Sequence, residues 1–521
     1  MRRVGIFGWG VVAPRSTDIN EFASNLEAEP SWLEPFDGFG PDNFLVGVPK
    51  FDFSAYRPWI DARFPPNRFR QLVEKMDPTT LFAVGGFIQA LRQNAGIEQA
   101  LQELGTAAHV YVATGLGSLP TTYDISVKLY RAQRRWNRFW AAPERNAALR
   151  AHLAGDAPAG AEAPQDPSEV SDPDAREVAE DAFNAYWAAR SEKLAEFLAE
   201  LRDIEAMRVE GDVETGKLKV IREKRRRLDR LAEKWRAPEP PWAQVSANLL
   251  WNISNTPASQ ISMLGKITGL AFAPVAACAT FGVALKLAID AIQRGDAKAV
   301  VMGATDPPPH PLSVGTFYSA RVLSADRSVS KPLTELRGTH VSGGSAIWIV
   351  GDHEYFTARG FKPLGMEPVS VGTSADADHI ITPSEEGPRQ AIQQALRRSG
   401  VSLEQIGSWD LHATATPGDF QEVGNLRHVL PENVLFTARK GTFGHGMAVA
   451  GGWELTAQYL GCERRQLFPT PLREDELNGA IRALHERFVF NRPVEMPTSA
   501  VGKLSMGVGG INACVISRPW T

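Results

Sequence analysis

Three short motifs contain side chains that can take part in covalent and acid–base chemistry. The first is a cysteine, Cys278, which lies among small residues at the start of an apolar helical pattern that continues to Ile292. A thiol at a helix N-terminus feels the positive end of the helix dipole, so the position predicts a lowered pKa for Cys278. By itself this signal is weak, because unpaired cysteines are most often small buried hydrophobic residues.

The second and third motifs are turns rich in glycine or threonine. His412 opens the run His-Ala-Thr-Ala-Thr after a predicted strand, and His445 closes the run Lys-Gly-Thr-Phe-Gly-His that starts at Lys440. Strand ends are where α/β proteins collect their functional residues. A further turn, Ser-Met-Gly-Val-Gly-Gly-Ile-Asn-Ala over residues 505–513, offers backbone N–H groups at close approach. A lone histidine is usually structural, but a thiol, two imidazoles and a lysine together can perform nucleophilic catalysis.

Short β-branched runs that alternate with helical patterns must position these motifs. The predicted strands are 4–12, 109–113, 299–302 and 346–350, followed by 368–371 and 408–411, and the predicted helices include 76–91, 387–398 and 449–460. The alternation predicts an α/β protein with largely parallel sheets. The second series repeats the order of the first, which indicates a duplicated core.

Residues 126–242 interrupt this pattern, because they contain no strand signal and many Ala, Glu, Arg and Lys residues. Residues 154–174 are typical of a flexible linker. The helical seams Leu194, Phe197, Leu201, Ile204 and Ile221, Leu228, Leu231, Trp235 predict a pair of antiparallel helices. The basic run 217–236 has two interpretations: a solvated outer face of an inserted helix, or a docking surface for an acidic partner, to which Arg131, Arg134, Arg135 and Arg138 would add.

Bulk composition excludes several classes of protein. The chain of 521 residues is 43% apolar and 22% charged, an ordinary globular composition, and its net charge of −4 argues against a general nucleic-acid-binding protein. Three cysteines, Cys278, Cys462 and Cys514, provide neither a disulfide framework nor a zinc site, which indicates a reducing compartment. No window has the length of a membrane span, and the first residues do not form a signal peptide. A cytoplasmic protein is therefore predicted.

With these motifs in the order Ala-Cys-Ala, His-x-Thr-x-Thr, Lys-x-x-x-Gly-His and Gly-x-Gly-Gly-x-Asn, the sequence resembles the β-ketoacyl synthases, the condensing enzymes of fatty-acid and polyketide assembly. The resemblance implies a thiolase-like fold with a duplicated, layered αβαβα core and a helical insertion. It implies an N-terminal half over 1–125 plus 243–350, a charged insertion over 126–242 and a C-terminal half over 351–521.

The resemblance also implies a reaction, a decarboxylative Claisen condensation of an acyl thioester with malonyl-acyl carrier protein. Cys278 would be the acylated nucleophile, the backbone N–H groups of Cys278 and Val508 would form the oxyanion hole, and His412 and His445 would bind the malonyl thioester carbonyl. Lys440 would fix the histidine pair. Glu454 would anchor this network, and Thr414 and Thr416 would bind the pantetheine arm. Substrates would be carried on the phosphopantetheine of an acyl carrier protein, with no metal or redox cofactor, and the enzyme would be a homodimer.

Several residues depart from the family pattern, and three other interpretations exist. Gly338, His340 and Gly344 replace customary Asp, Phe and acidic residues, and Val508 replaces a gating Phe, which bears on acyl-chain length. The non-elongating alternative is a partner subunit similar to a chain-length factor, which would lack the nucleophile that Cys278 provides, or a decarboxylase in a polyketide or polyene pathway. A coenzyme-A thiolase would need a second cysteine, for which Cys514 is the candidate. A starter-unit synthase would have an asparagine in place of His445.

Overall fold

The computed structural model describes residues 2–28, 31–40, 43–156, 160, 162–208, 213–496 and 499–520. Its contacts divide the chain into two compact units, one formed by Met1–Pro120 with Leu250–Thr521 and the other by Thr121–Leu249. The unit boundaries lie within seven residues of those predicted for the helical insertion, while both predicted halves belong to the first unit. No helix among the described residues combines the length and apolarity needed to cross a membrane.

Two five-stranded sheets form the framework of the first unit. The unit contains the strands β1 (Val4–Val12), β2 (Glu34–Pro35), β3 (Leu45–Val46), β4 (Ala108–Ala113), β5 (Ala271–Phe272), β6 (Ala299–Asp306), β7 (Gly344–Asp352), β8 (Glu367–Ala375), β9 (Ile406–Asp410), β10 (Leu435–Thr437), β11 (Gln466–Leu467), β12 (Val494–Glu495), β13 (Ala500–Gly507) and β14 (Ile511–Arg518). Strand β2 pairs with β3, and β11 with β12, in two separate two-stranded sheets. The sheet orders are β1-β7-β6-β4-β5 and β8-β14-β13-β9-β10. In both sheets the first strand in the chain lies beside the last, so the predicted duplication is confirmed.

The sheets are mixed, and the prediction of largely parallel sheets is wrong. In the first sheet β7 runs antiparallel to both β1 and β6, and in the second sheet β14 runs antiparallel to both β13 and β8. The reversal in the second sheet arises because only the three-residue turn 508–510 joins β13 to β14, and so short a connection can only form a hairpin. The remaining pairs, β4 with β5 and β6 and β9 with β10 and β13, are parallel.

Helices cover the sheets and separate them. The first unit contains α1 (Ile19–Ala28), α2 (Arg57–Asp61), α3 (Arg68–Lys75), α4 (Pro78–Leu91), α5 (Ile97–Glu103), α11 (Thr256–Gly265), α12 (Thr280–Arg294), α13 (Pro311–Ser319), α14 (His353–Thr357), α15 (Glu386–Ser399), α16 (Gly418–Arg427), α17 (Lys440–Phe443) and α18 (Ala450–Arg464). The second contains α6 (Leu119–Ala141, which begins two residues before the unit boundary), α7 (Ala147–Leu153), α8 (Pro173–Ala188), α9 (Glu192–Glu205) and α10 (Val213–Trp235).

Helices α12 and α18 form a buried layer between the two sheets. α12 contacts β6 and β8, and α18 contacts β7 and β13, while α4 packs on the first sheet and α15 on the second. The two central helices approach closely at Gly452, where a Cβ atom would lie 2.6 Å from the Phe281 ring. Because α12 begins just after Cys278 and α18 just after His445, the central layer brings both predicted catalytic turns to one place.

The second unit has a core of its own, formed by tryptophans and the predicted seams. Trp136, Trp140 and Trp187 are buried together with Phe197, Leu201, Ile204 and Leu231, so the predicted pairing of α9 with α10 is confirmed. Ile221 is an exception, because 52% of its surface is exposed and its predicted place in the seam is wrong. The described part of the predicted 154–174 linker includes a 3-10 turn at Pro167–Glu169, and α8 already begins at Pro173.

Candidate active site

Cys278 lies in a tight turn ahead of α12. The turn is the 3-10 segment Ala277–Ala279, and Ala277 has a φ of 46°, in the left-handed region that favours glycine. Gly507 packs directly against this turn, because a Cβ atom there would lie 2.8 Å from the carbonyl oxygen of Ala276 and 3.3 Å from the nitrogen of Cys278. A glycine is therefore required at 507 for the 505–513 turn to reach the cysteine.

The two histidines lie beside the thiol. His445 Nε2 is 3.1 Å from Cys278 Sγ, and the rings of His412 and His445 are 5.5 Å apart and nearly perpendicular. Burial lowers the pKa of both imidazoles well below the usual value, and the charge of Lys440 lowers each further. Both rings are therefore neutral near pH 7, and each can donate one hydrogen bond from a ring N–H.

Lys440 and Glu454 support His412 from behind. Lys440 Nζ lies 3.5 Å from His412 Nδ1 and also donates to the His412 carbonyl oxygen. Its charge is paired with Glu454 Oε1 at 2.6 Å, and both side chains are fully buried. An ammonium group can only donate, so the contact with Nδ1 places the proton of neutral His412 on Nε2. The predicted Lys440–Glu454 support is thus present in the geometry.

The expected lowering of the Cys278 pKa is wrong. Burial raises it to about 11, although the Lys440 charge and the backbone N–H of Val508 lower it in part. Two structural features explain this result: the thiol is buried, and it precedes the first residue of α12 instead of lying within its first turn. Cys278 is therefore a protonated thiol near neutral pH, and His445 Nε2 is the neighbouring group placed to accept its proton.

Two backbone N–H groups favour the charged form of the Cys278 thiol. The N–H of Val508 and the N–H of Cys278 both act on the Sγ atom, and these are the two groups predicted to form an oxyanion hole. The Val508 side chain is 46% exposed, on the turn between β13 and β14. One pocket contains Cys278, both histidines and the turn at 507–508, and it is also lined by Thr414, Thr416, Asp419, Asp376, Phe317 and Asn512.

The predicted threonines lie in this pocket on a turn that a buried carboxylate holds. Thr414 Oγ1 and Thr416 Oγ1 are 2.9 Å apart. Asp419 accepts hydrogen bonds from the backbone N–H groups of Thr414 and Ala415, and also from Leu333 in a different segment. Burial raises the pKa of Asp419 to about 6, and the backbone donors lower it in part. Asp419 therefore holds the backbone of the turn that carries both hydroxyl groups.

Sequence reasoning missed several buried charged residues that shape the site. Glu422 accepts from the N–H groups of His412 and Ala413, and Asp306 joins the loop after β4 to the turn before α18 through Gly115 and Ala448. Lys503 lies in β13 beside Glu454. The available signal was a lysine within an otherwise apolar strand pattern, since a buried charge implies a partner.

Comparison with known proteins finds one family that matches two segments of the sequence. Residues 229–350 match the family described as "Beta-ketoacyl synthase, N-terminal domain" and residues 367–472 match "Beta-ketoacyl synthase, C-terminal domain". Over these two segments the chain is similar to the β-ketoacyl synthases, the family that its motifs resemble. Two relatives named 3-oxoacyl-[acyl-carrier-protein] synthase 2, from Rhizobium meliloti and Vibrio cholerae, are 30% and 33% identical over 51% of this chain. The matched region spans 65% and 66% of their own lengths.

Solved ketosynthase structures share the fold over the whole chain. The ishigamide ketosynthase/chain length factor superposes with a TM-score of 0.69 at 20% identity, and a type II polyketide ketosynthase in complex with its acyl-carrier protein superposes with a TM-score of 0.65 at 17% identity. Each alignment covers 100% of both chains. The thiolase-like fold class predicted from the motifs is confirmed.

Two of the departures from the family pattern have clear structural explanations. His340 is buried, accepts from the Ser330 N–H at Nε2 and donates from Nδ1 to the Leu45 carbonyl oxygen, so it is a structural histidine. Burial lowers its pKa to about 4. At Gly344 the φ is 143° and a Cβ atom would lie 2.1 Å from the Val12 carbonyl oxygen, which leaves no room for an acidic side chain.

Proposed function

We propose that this protein is an acyltransferase, a β-ketoacyl-acyl carrier protein synthase that condenses an acyl group on Cys278 with malonyl-acyl carrier protein to give a 3-oxoacyl-acyl carrier protein. The observation that carries the proposal is the grouping of Cys278, His445 and His412 in one pocket, with the Val508 turn across from them. The names of the relatives support the carrier protein as partner.

The first step acylates Cys278. Its Sγ–H proton passes to His445 Nε2 as sulfur attacks the thioester carbonyl, and the N–H groups of Val508 and Cys278 bind the oxygen that gains negative charge. The carrier sulfur then leaves and takes the proton from His445, which ends the step as a neutral ring. Among the described residues His445 Nδ1 has no hydrogen-bond partner, so its tautomer is not fixed and Nε2 can accept in one step and donate in another.

The second step forms the carbanion and the new bond. Loss of CO2 from the malonyl group leaves its electron pair as an enolate, whose oxygen accepts hydrogen bonds from Nε2–H of His412 and of His445. The carbanion attacks the acyl carbonyl, the carbon–sulfur bond to Cys278 breaks, and the thiolate takes up one proton. We propose that no metal or redox cofactor takes part, because release of CO2 drives the condensation, and that Thr414 and Thr416 bind the pantetheine arm.

We also propose a homodimer formed through the first sheet. In the described part of the chain β5 is the edge strand of that sheet, paired only with β4, and the apolar side chains of Leu270, Val275 and Met263 near it are exposed. An exposed apolar edge is a surface on which a second copy can add its own strand. The cytoplasmic location predicted from the cysteine content remains a prediction.

Mass spectrometry of the purified protein with a panel of acyl-carrier thioesters tests the proposed reaction. We expect an acyl adduct on Cys278 of the unmodified protein and of a Cys462→Ala control, but not of Cys278→Ala, and 3-oxoacyl product when malonyl-acyl carrier protein is added. The panel also reports acyl chain length, which distinguishes a fatty-acid from a polyketide role. Decarboxylation of malonyl-carrier with no acyl adduct from any donor would instead show the non-elongating subunit.

A further inference from the structure

Six charged side chains are buried together beneath the histidine pair. They comprise three cations and three carboxylates: Lys440, Arg439, Lys503, Asp410, Glu422 and Glu454. A buried charge without a partner is strongly destabilising, so each member of the group needs an opposite charge or hydrogen-bonding groups beside it. The reaction proposed above uses only Lys440 and Glu454 of these six, and the role of Lys503 is unassigned.

Lys503 lies between two of these carboxylates, Glu454 and Asp410. Its Nζ lies 2.8 Å from Glu454 Oε2 and 3.7 Å from Asp410 Oδ1, and its side chain is only 1% exposed. The other oxygen of Glu454 holds Lys440 at 2.6 Å, and Lys440 contacts His412. A continuous chain of contacts therefore leads from Lys503 through Glu454 and Lys440 to the histidine.

We propose that Lys503 is a positioning residue for the decarboxylation step, because by bridging Glu454 and Asp410 it fixes the Lys440 ammonium group against His412. The proposal rests on the proposed condensation. The lysine also acts through its charge: burial is the main cause of the low pKa of both histidines, and Lys503 is among the cations that lower it further. The titratable groups around Lys503 are Asp410, Glu422, Arg439, Lys440, Glu454, His412, His445 and Cys514.

The test is the pH profile of CO2 release from malonyl-acyl carrier protein by Lys503→Met. We expect at least a tenfold lower rate near pH 7, and an acidic limb moved upward by about one pH unit because the histidines lose a neighbouring positive charge. Arg439→Gln is the matched control. It removes a buried cation that pairs with the same Asp410, at 3.0 Å, but is not among the groups that shift the histidine pKa values. We expect it to reduce stability and leave the acidic limb in place.

A second variant separates this role from a purely structural one. Lys503→Met combined with Asp410→Asn restores equal numbers of buried cations and carboxylates but removes the partner of Arg439, so we expect a thermal stability above that of Lys503→Met alone, with the acidic limb still shifted. An unshifted limb in both Lys503 variants, or the same shift in Arg439→Gln, would overturn the inference. If the unsubstituted protein neither releases CO2 nor forms product, the proposed function fails instead.

Discussion

At the scale of single residues, burial decides the protonation state of Cys278. The thiol has a cationic lysine nearby and two backbone N–H groups directed at it, yet its pKa is raised to about 11. A thiolate is a much stronger nucleophile than a thiol, so reactivity depends on a base that removes the proton at the moment of attack. The 3.1 Å contact with His445 places a base that can do this beside the thiol.

The first prediction follows from this raised pKa. The rate of alkylation of Cys278 by iodoacetamide should rise about tenfold per pH unit between pH 8 and pH 9, because the fraction of thiolate is still far from its maximum there. Peptide mass spectrometry measures the rate, with a free small thiol, which levels off near its pKa of about 8.5, as reference. A plateau for Cys278 below pH 8 would show that the helix dipole and Lys440 outweigh burial.

The second prediction concerns His340. Because its folded-state pKa is lowered to about 4, the unfolded chain binds this proton more tightly, and the stabilising effect is present above pH 6.5 and lost as the pH falls toward 4. The free energy of unfolding lost on His340→Gln should therefore be smaller at pH 5 than at pH 7, by about 2 kcal/mol. Urea denaturation at both pH values measures this difference. Equal losses would contradict a neutral buried imidazole.

At the scale of elements, buried carboxylates join segments that secondary structure alone does not hold. Asp306 accepts from the N–H groups of Gly115, Leu116 and Ala448, and Asp419 from those of Leu333, Thr414 and Ala415. In each case one side chain satisfies several backbone donors from distant parts of the sequence. Such donors would otherwise be buried and unpaired, at a cost of about 1–3 kcal/mol each.

The third prediction is that Asp419→Asn loosens the threonine turn. The amide can accept at only one of its two ends, so we expect the free energy of unfolding to fall by about 2–3 kcal/mol and the KM for carrier-linked substrate to rise several-fold. Thermal unfolding and steady-state kinetics give both quantities. Asp52→Asn serves as control, because Asp52 is an exposed cap that accepts from the backbone and side chain of Ser54, and it should change neither quantity appreciably.

Some features of the elements could be predicted from the sequence, and others could not. Strand β1 (Val4–Val12) has the predicted bounds, because nine buried residues leave a local signal. Cys278 was predicted from its small neighbours and the apolar helical pattern that follows it, and His412, Lys440 and His445 from their glycine- and threonine-rich turns. Strand direction was missed because it depends on which edges meet, as with β7 between β1 and β6. The ion group at Lys503 was missed for a similar reason, since its members come from β9, β13, α16, α17 and α18.

At the scale of the whole molecule, the second unit has a basic surface. Arg222, Arg226 and Arg230 of α10 are exposed and follow one another at four-residue intervals, so they lie on one face of the helix. Like charges at this spacing destabilise a helix, which argues for a role in binding. We propose that this face attracts an acidic acyl carrier protein. This is the second of the two interpretations of the basic run 217–236; the first is a solvated outer face.

The fourth prediction tests that surface. Reversing the charge of all three arginines to glutamate should raise KM for carrier-linked thioesters and flatten its dependence on salt, while KM for a small-molecule thioester stays unchanged. Steady-state kinetics between low and high salt gives both constants. Arg176→Glu with Arg202→Glu, on α8 and α9 of the same unit, is the control. If KM for carrier-linked thioesters and its dependence on salt are unchanged in the triple variant, this face is an ordinary solvated surface.

The fifth prediction concerns assembly. Leu270→Lys, next to the edge strand β5, should convert the proposed dimer of 56.9 kDa chains into monomers, because a buried unpaired ammonium group opposes association. Analytical ultracentrifugation gives the mass in solution. Leu153→Lys is the control, since Leu153 is an equally exposed leucine in the second unit. A monomeric unsubstituted protein would exclude the proposed dimer. A Leu270→Lys protein that remains dimeric would show that the contact between subunits lies elsewhere.

The group of six buried ions also restricts how this chain can change in evolution. With three charges of each sign and no access to solvent, replacement of Lys503 or Asp410 alone leaves an excess charge in a site of low dielectric constant, whereas a paired replacement does not. Natural relatives should therefore differ from this chain at positions 410 and 503 together. Covariation between position 410, at the end of β9, and position 503, in β13, would then show the buried charge balance in an alignment of sequences without any structure.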